Sequence, residues 1–350
     1  MLVVRAIKAT DLDGLFNLAS QVGTGMTTLK PDMKMMGDRV EVAVASFAET
    51  IPPEQRDYMF VMEDTENGRL AGVCAIKGAV GLNEPFYNYR IGTLVHSSRE
   101  LNVFTRMDTL YLSNDLTGCS ELCSLFLHPD YRQGNNGKLL SKSRFLFIAQ
   151  FPHLFEQKII AEMRGYQAPD GSSPFYEGLG RHFFKMDFHH VDDLTALGKK
   201  SFIAELMPRQ PMYIAYLPQD AQEAIGKVHM STAPARRLLE QEGMYYEGYV
   251  DIFDAGPVLQ ARVSELRGVR DSELVSVDAD TDMAHACAPE SHEPLLVSNT
   301  DMKDFRMIVT EATPVNGRID LSHACQQLLH VHPNDSVRTL SLNVRKNQNV

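Results

Sequence analysis

The sequence predicts an α+β fold that is divided between two domains, at residues 1–200 and 201–350. The chain has 350 residues, which exceeds the usual size of one domain, roughly 100–200 residues. Its hydrophobic content of 44% and charged content of 23% are those of a globular protein with enough apolar material for a core in each half. The order of predicted elements, which includes antiparallel strands and a strand–turn–helix unit, indicates layered α+β architecture.

The first half alternates short strands with helices. Apolar residues recur at helical spacing after Thr10, while Asn67-Gly68 between two apolar runs is typical of a type I′ hairpin, since both residues tolerate positive φ. An apolar helix stops at Pro152. We predict strands at residues 2–7, 58–63, 70–76, 120–127 and 158–163, and helices at residues 12–19, 39–49, 138–150 and 175–180.

The second half partly repeats this pattern. Thr232 is a suitable N-cap for a helix that Gly243 ends, and a strand follows that helix. The segment 271–294 is acidic and poor in apolar residues, so we predict a linker there, and we expect residues 345–350 to be frayed. We predict strands at residues 211–216, 249–253, 295–297, 305–311 and 339–342, and helices at residues 221–225 and 234–242.

Charge and cysteine content exclude several classes of protein. The formal net charge of −11 disfavours nucleic acid and anionic membrane as partners, because both favour a basic surface. The five scattered cysteines do not form a disulfide framework, which favours reduced thiols in the cytoplasm. We find no signal-peptide pattern, and no apolar run approaches the ~18 residues of a transmembrane helix.

Residues 125–140 carry the strongest chemical signal. A strand ends, a polar turn follows, and an apolar helix begins at Lys138. The first turn of a helix has N–H groups without a partner and a partial positive charge. Gly134 and Gly137 let a diphosphate approach those groups, while Arg132 and Lys138 add positive charge. We therefore predict a phosphate cradle at this turn.

This cradle resembles the phosphate-binding motif of the GNAT acyltransferase superfamily, which has Arg or Gln, a glycine three residues later, and Gly or Ala after two more. Arg132 fits the first position and Gly137 the last. Asn135 stands where the first glycine is usual, and Gly134 is the neighbour that can compensate.

The resemblance to GNAT enzymes implies how an acyl-CoA binds. Its pantetheine arm pairs with the backbone of the strand before the cradle, at Leu125 and Leu127, and the N–H of Leu125 serves as oxyanion donor. Both leucines are also ordinary core residues. Residues 173–180 resemble a second GNAT signature, in which Tyr176 is a candidate proton donor for the leaving thiolate. A tyrosine in an apolar setting is also a common packing residue, so both interpretations of Tyr176 stay open.

Several further segments resemble the arginine N-succinyltransferase family, and together they cover nearly the whole chain. The resemblance implies two GNAT-like domains that exchange C-terminal strands, succinyl-CoA as co-substrate with no permanently bound cofactor, and L-arginine as acceptor of the succinyl group on its α-amino nitrogen. Some family members pair with a paralogous subunit, which is consistent with a homo- or hetero-oligomer. The similar segments are residues 4–15, 23–29, 225–235, 238–243 and 304–306.

The same resemblance assigns His229 as proton donor and Leu125 as a succinyl-CoA contact. His229 precedes the helix that starts near Thr232, and the positive end of that helix should lower its pKa. We also expect the loop 23–32 to form a wall of the active site. Glu121 shares a strand face with Leu125 and is a weaker candidate for a base.

Three other interpretations remain open. The chain could use a different acyl-CoA or amine, it could be a non-catalytic subunit that binds CoA or arginine, or it could be a structural protein. We predict no metal site. His189 and His190 would point to opposite faces of a strand, so both cannot easily ligate one ion.

Overall fold

The computed structural model describes residues 1–22, 26–196, 198, 200–278 and 293–344. Most of the predicted linker and the end of the chain at residues 345–350 lie outside these ranges. The strands are β1 (Leu2–Ala6), β2 (Asp57–Asp64), β3 (Arg69–Lys77), β4 (Asn88–Ser98), β5 (Val103–Ser113), β6 (Ser120–Leu127), β7 (Lys158–Glu162), β8 (Met212–Tyr213), β9 (Tyr245–Asp251), β10 (Pro257–Arg262), β11 (Glu273–Val277), β12 (Leu295–Ser298), β13 (Arg306–Thr310), β14 (Arg318–Ile319) and β15 (Ser336–Ser341).

The helices cover both faces of the strands, as the predicted α+β class requires. They are α1 (Leu12–Ala19), α2 (Met33–Phe47), α3 (Asn136–Gln150), α4 (Arg181–Phe184), α5 (Phe188–Ala196), α6 (Ser201–Leu206), α7 (Gln219–Ala224), α8 (Ala233–Gln241), α9 (Arg267–Asp271) and α10 (His323–Leu329). No helix in the described part of the chain is both long and apolar enough to cross a membrane.

All the strands join in one mixed sheet, in the order β14-β11-β15-β12-β13-β1-β2-β3-β6-β7-β10-β9-β4-β5-β8. Strands from the end of the chain flank β1, because β13 pairs with it. Strands β10 and β9, which also come from the second half, follow β7. Elements from both sides of residue 200 therefore lie in the same sheet, and the predicted division of the chain at that residue stays a prediction.

The core is continuous across this sheet. Phe60 of β2 and Phe147 of α3 meet Phe305, which lies beside β13, with ring centroids 5.5 and 5.1 Å from Phe305. Helix α3 is buried along most of its length, so apolar residues occur around its whole circumference. The cradle helix is consequently held in place by packing on all sides.

Some predicted elements are wrong or absent from the prediction. His189 and His190 belong to helix α5 rather than to a strand, because residues 188–196 follow a helical pattern of burial. The predicted strand 211–216 shortens to the two residues of β8, and the first part of the predicted linker forms β11. The hairpin β4–β5 was not predicted. Among the described residues, no group of three His, Cys, Asp or Glu side chains is arranged to hold a metal ion.

Candidate active site

A cleft opens where β6 and β7 separate. The two strands pair in parallel only at Ser120 with Ile159 and at Glu121 with Ile160 in the described structure. Beyond Glu121 the backbone edge of β6 that faces β7 is open as far as Leu127. An open strand edge presents backbone N–H and C=O groups to an extended ligand, as in β-strand addition. Leu125 and Leu127, the two positions expected from the sequence to pair with the pantetheine arm, both lie on this open stretch.

A β-bulge at Ser124 shapes the open edge. Ser124 has φ of +54°, and the register between β3 and β6 shifts beside it. Arg39 of α2 secures the bulge, because its Nη1 donates to Ser124 Oγ at 2.9 Å while its Nε donates to Asp57 Oδ2 at 2.7 Å. Bulges are frequent beside active sites, where they redirect the following residue. Here the residue that follows is Leu125.

The turn before α3 provides unpaired backbone N–H groups. Within the described chain, the N–H groups of Gly137 and Lys138 donate to no backbone or side-chain acceptor, and no side chain caps the helix. Gly134 supplies the left-handed residue of the turn, with φ of +54°, while Asn135 has φ of −99°. Asn135 therefore needs no left-handed conformation, and Gly134 takes that part. These amides suit an anion such as a diphosphate.

The cations of the cradle are positioned at its entrance. Arg132 lies over the ring of Phe126, with its guanidinium carbon 5.7 Å from the ring centroid, and its Nε donates to Leu127 O at 2.9 Å. Lys138 Nζ donates to Asn343 Oδ1 at 2.8 Å at an exposed position. Both side chains line the cleft and add positive charge beside the free amides.

His229 lies on the opposite wall, beyond the end of β7. Its backbone N–H donates to Arg164 O at 2.9 Å, and the neighbouring Val228 bridges to Gly165. The Ser231 N–H donates to Nδ1 at 3.2 Å, so a neutral His229 ring carries its proton on Nε2. Partial burial lowers the pKa of His229, and the nearby positive charge of Arg164 lowers it further. The direction agrees with the sequence prediction, but the cause differs from the predicted helix end.

Tyr176 is remote from this cleft. Its side chain is 0% exposed, and its hydroxyl donates to Met186 O at 3.0 Å. Burial raises its pKa to about 12. The ring packs against Phe184 and Phe188 in an aromatic cluster. The structure brings His229 and Leu125 to the two sides of one cleft and does not bring Tyr176 to either, so a proton-donor role for Tyr176 stays a prediction.

Carboxylates gather at the closed end of the cleft. Glu162, at the end of β7, accepts a hydrogen bond from Asn88 Nδ2 at 2.7 Å. Burial raises the pKa of Glu162 well above its ordinary value, and the negative charges of Asp251 and Glu121 raise it further. Glu121 pairs with Lys77 at 3.5 Å. Such a cluster favours a cationic ligand and provides a carboxylate that can take up a proton.

One cleft of about 1910 Å³ connects all these features. It extends from the cradle, past the open edge of β6, to Glu162 and Asp251. Met26 and Thr28, from the described part of the loop 23–32, also line it. Residues Gly23, Thr24 and Gly25 of that loop, and the side chain of Thr27, lie outside what the structure describes. The volume is sufficient for a long thioester and a small amine together.

Sequence reasoning missed three residues of this cleft. Glu162 was covered by a predicted strand, but its burial depends on β10 and β4, which are distant in the chain. Arg39 was placed on a helix with no role. Arg144 in the middle of α3 was counted as part of an apolar helix, although its charged side chain lines the cleft.

Comparison with known families gives two matches that together span most of the chain. Residues 2–268 match the family described as "Arginine N-succinyltransferase beta subunit". Residues 284–341 match a second family, which is the C-terminal domain of the same arginine N-succinyltransferase beta chain.

Individual relatives agree with these matches over their full length. The arginine N-succinyltransferase of Shigella sonnei is 47% identical over 342 residues, which cover 98% of this chain and 98% of that protein. The enzyme of the same name from Escherichia fergusonii is also 47% identical over 98% of both chains. Among solved structures, the arginine/ornithine succinyltransferase subunit AI from Pseudomonas aeruginosa superposes with a TM-score of 0.88, at 34% identity over 98% of this chain and 99% of that one.

Proposed function

The chain belongs to the arginine N-succinyltransferase family, and we propose that it transfers the succinyl group of succinyl-CoA to the α-amino group of L-arginine, in arginine catabolism by the succinyl route. It is an acyltransferase with succinyl-CoA as co-substrate. The observation that carries this proposal is the open edge of β6, which runs from the free amides at the start of α3 to a cluster of carboxylates. A thioester with a diphosphate and a cationic amine fit the two ends of such a cleft.

The donor binds along β6 and the cradle. The amides of Gly137 and Lys138 hold the diphosphate, with Arg132, Gly134 and Asn135 around them. The pantetheine arm pairs with the backbone at Leu125 and Leu127, which β7 leaves unpaired. The N–H of Leu125, directly after the bulge, donates to the thioester oxygen as negative charge develops there.

The acceptor binds at the carboxylate end. Arginine carries two cations, an α-ammonium and a guanidinium, and both are attracted by Glu162 and Asp251. Glu162 takes a proton from the α-ammonium, since its raised pKa makes it a stronger base than an ordinary carboxylate. The neutral amine then attacks the thioester carbon, a C–N bond forms, and the C–S bond breaks.

His229 completes the reaction by giving a proton to the departing thiolate. Nδ1 is occupied by Ser231, so Nε2 is the nitrogen that carries the proton to be transferred. Its place beyond the end of β7 is consistent with that role, since the donor's sulfur leaves from the gap between β6 and β7. Proton exchange with solvent returns His229 and Glu162 to their starting states.

A coupled thiol assay tests this function. We expect CoA release from succinyl-CoA only when L-arginine is present, with a product of the mass of N-succinylarginine. Acetyl-CoA with arginine, and succinyl-CoA with lysine, serve as comparison reactions. Release that is equally fast with acetyl-CoA, or that does not depend on arginine, contradicts the proposal.

Ornithine is a second candidate acceptor, because the similar Pseudomonas protein is named for both arginine and ornithine. Ornithine also has an α-ammonium and a distal cation, so the same carboxylates would attract it. The ratio of kcat/KM for the two amino acids distinguishes an arginine enzyme from one with dual specificity. A non-catalytic subunit is less favoured, because Gly134 provides the turn that Asn135 had placed in question.

The finer architecture follows from the strand order. We propose that the first half forms one GNAT-like unit, completed by β9 and β10 from the second half, as expected when two units exchange C-terminal strands. The position of β10 beside β7 supports this. We also propose a cytoplasmic enzyme that works as a homo- or hetero-oligomer. The free thiols of Cys74, Cys119, Cys123 and Cys325 and the subunit status of the Pseudomonas relative are consistent with these proposals.

A further inference from the structure

Arg144 is a buried arginine that faces the cleft. It lies on α3, its residue is 2% exposed, and it forms part of the cleft wall together with Leu140 of the same helix. Six residues separate it from Lys138, which corresponds to roughly 9 Å along the helix axis. Arg144 is therefore deeper in the cleft than the amides that hold the diphosphate.

The guanidinium of Arg144 has little to bind within the protein. Its Nε donates to Ser141 O and its Nη2 to Ser141 Oγ, both at 3.2 Å and both within its own helix. No carboxylate in the described ranges pairs with it. The other buried arginines of those ranges, Arg5, Arg267 and Arg306, each pair with an aspartate or glutamate.

The nearest titratable groups do not neutralise this charge. They are the thiols of Cys74 and Cys123, and burial raises the pKa of both, to about 11 for Cys123. Both thiols are therefore uncharged at neutral pH. A guanidinium keeps its charge under all ordinary conditions, and burying it without an anion is costly. The arrangement is that of a receptor for an anionic ligand.

We propose that Arg144 binds the distal carboxylate of the acyl group and thereby selects succinyl-CoA over neutral acyl-CoA esters. This inference rests on the proposed function. The donor has two kinds of anion, its phosphates and its succinyl carboxylate. The phosphates bind at the mouth of the cleft, while the acyl chain begins at Leu125, whose side chain packs on the same face of the sheet as α3. The carboxylate is thus the anion that reaches Arg144.

The chemistry of the pair explains the selectivity. A guanidinium can donate two parallel hydrogen bonds to a carboxylate, and Arg144 Nη1 donates to no acceptor in the part of the chain that the structure describes. A neutral acyl chain of the same length leaves the buried charge unpaired, and a site built around a polar contact rejects such an analogue strongly. The same residue then distinguishes succinyl from acetyl or butyryl donors.

Binding measured without arginine tests this independently of catalysis. Succinyl-CoA and butyryl-CoA have acyl chains of the same length, and calorimetry gives the Kd of each. We expect the wild type to bind succinyl-CoA at least about tenfold more tightly, and Arg144→Met to abolish that difference by weakening succinyl-CoA alone. Arg338→Met is the matched control, because Arg338 also lacks a carboxylate partner among the described residues, lies outside the cleft, and donates instead to Gln150 and Ser272.

Two results overturn the inference: equal affinity of the wild type for both esters, or a preference for succinyl-CoA that survives in Arg144→Met. Should Arg144→Met fail to fold, the wild-type ratio and the variant Arg144→Lys decide instead. Lysine keeps the charge but not the paired geometry, so we expect an intermediate ratio, and an unchanged ratio counts against the proposal. A wild type that prefers succinyl-CoA yet releases no CoA with arginine refutes the proposed function and leaves this inference standing.

Discussion

At the scale of single residues, the two candidate proton donors occupy different surroundings. His229 has a half-buried ring beside the cleft, whereas the Tyr176 hydroxyl is buried and donates to a backbone carbonyl. A general acid contributes about 10²–10⁴-fold to a rate. We expect His229→Ala to lower kcat within that range with little change in either KM.

The companion variant Tyr176→Phe separates the two interpretations. It removes one buried hydrogen bond, worth about 1 kcal/mol, and leaves a carbonyl without a donor. We expect a lower Tm and a kcat within about twofold of the wild type, measured in the thiol assay and by thermal denaturation. A large loss of kcat in Tyr176→Phe, with His229→Ala active, would reverse the assignment.

The pH dependence of the reaction also belongs to individual residues. Glu162 must be ionised to accept a proton, and its raised pKa means that activity is lost as pH falls through a value above 4.5. Asp251→Asn removes a neighbouring negative charge, which lowers the pKa of Glu162 and moves the acidic limb of kcat/KM to lower pH. The shift is partial because burial is the larger cause. An acidic limb that does not move argues against Glu162 as the base.

At the scale of elements, the start of α3 binds anions only because it lacks a cap. Gly137→Asp places a carboxylate in the first turn, which stabilises the helix by about 0.3–1 kcal/mol but occupies the site of the diphosphate. We expect a higher Tm together with a Kd for CoA that rises roughly tenfold or more.

Gly137→Ala is the control for that change. A Cβ at this position meets only the Leu127 side chain, at 4.0 Å, and alanine is a better helix former than glycine. The alanine variant should gain stability with a much smaller effect on CoA binding. Equal weakening by both substitutions would indicate that the space at Gly137, and not the charge, determines affinity.

The same element shows why part of the site was predictable. Strand β6, its turn and α3 follow one another in the chain, so apolar runs, glycines and a stop at Pro152 define them locally. The hairpin β4–β5 lacks such a signal, because much of it is exposed on both faces and its residues do not alternate in burial. The environment of Arg144 was equally inaccessible, since its isolation depends on strands and helices far away in sequence.

At the scale of the whole molecule, a buried cluster of three charges joins distant parts of the chain. Glu242, just after α8, is 0% exposed and accepts from Lys142 of α3 at 2.7 Å and from Arg267 of α9 at 2.8 Å. The two cations also donate to the carbonyls of Leu342 and Ser341, after and at the end of β15. The cradle helix, the helix before β9 and the last strand thus share one ionic centre.

Removing the central charge of this cluster should destabilise the whole fold. Glu242→Gln leaves Lys142 and Arg267 buried without an anion, and breaking a buried pair in this way costs about 3–5 kcal/mol. Urea denaturation should show a correspondingly lower midpoint, whereas Glu240→Gln, at an exposed i,i+4 pair with Arg236, should stay within about 0.5 kcal/mol of the wild type. Replacing all three charges together by apolar residues of similar volume should restore most of the loss, because no unpaired charge remains. A triple variant as unstable as Glu242→Gln would mean that the cluster stabilises the assembly by attraction, and not merely by mutual neutralisation.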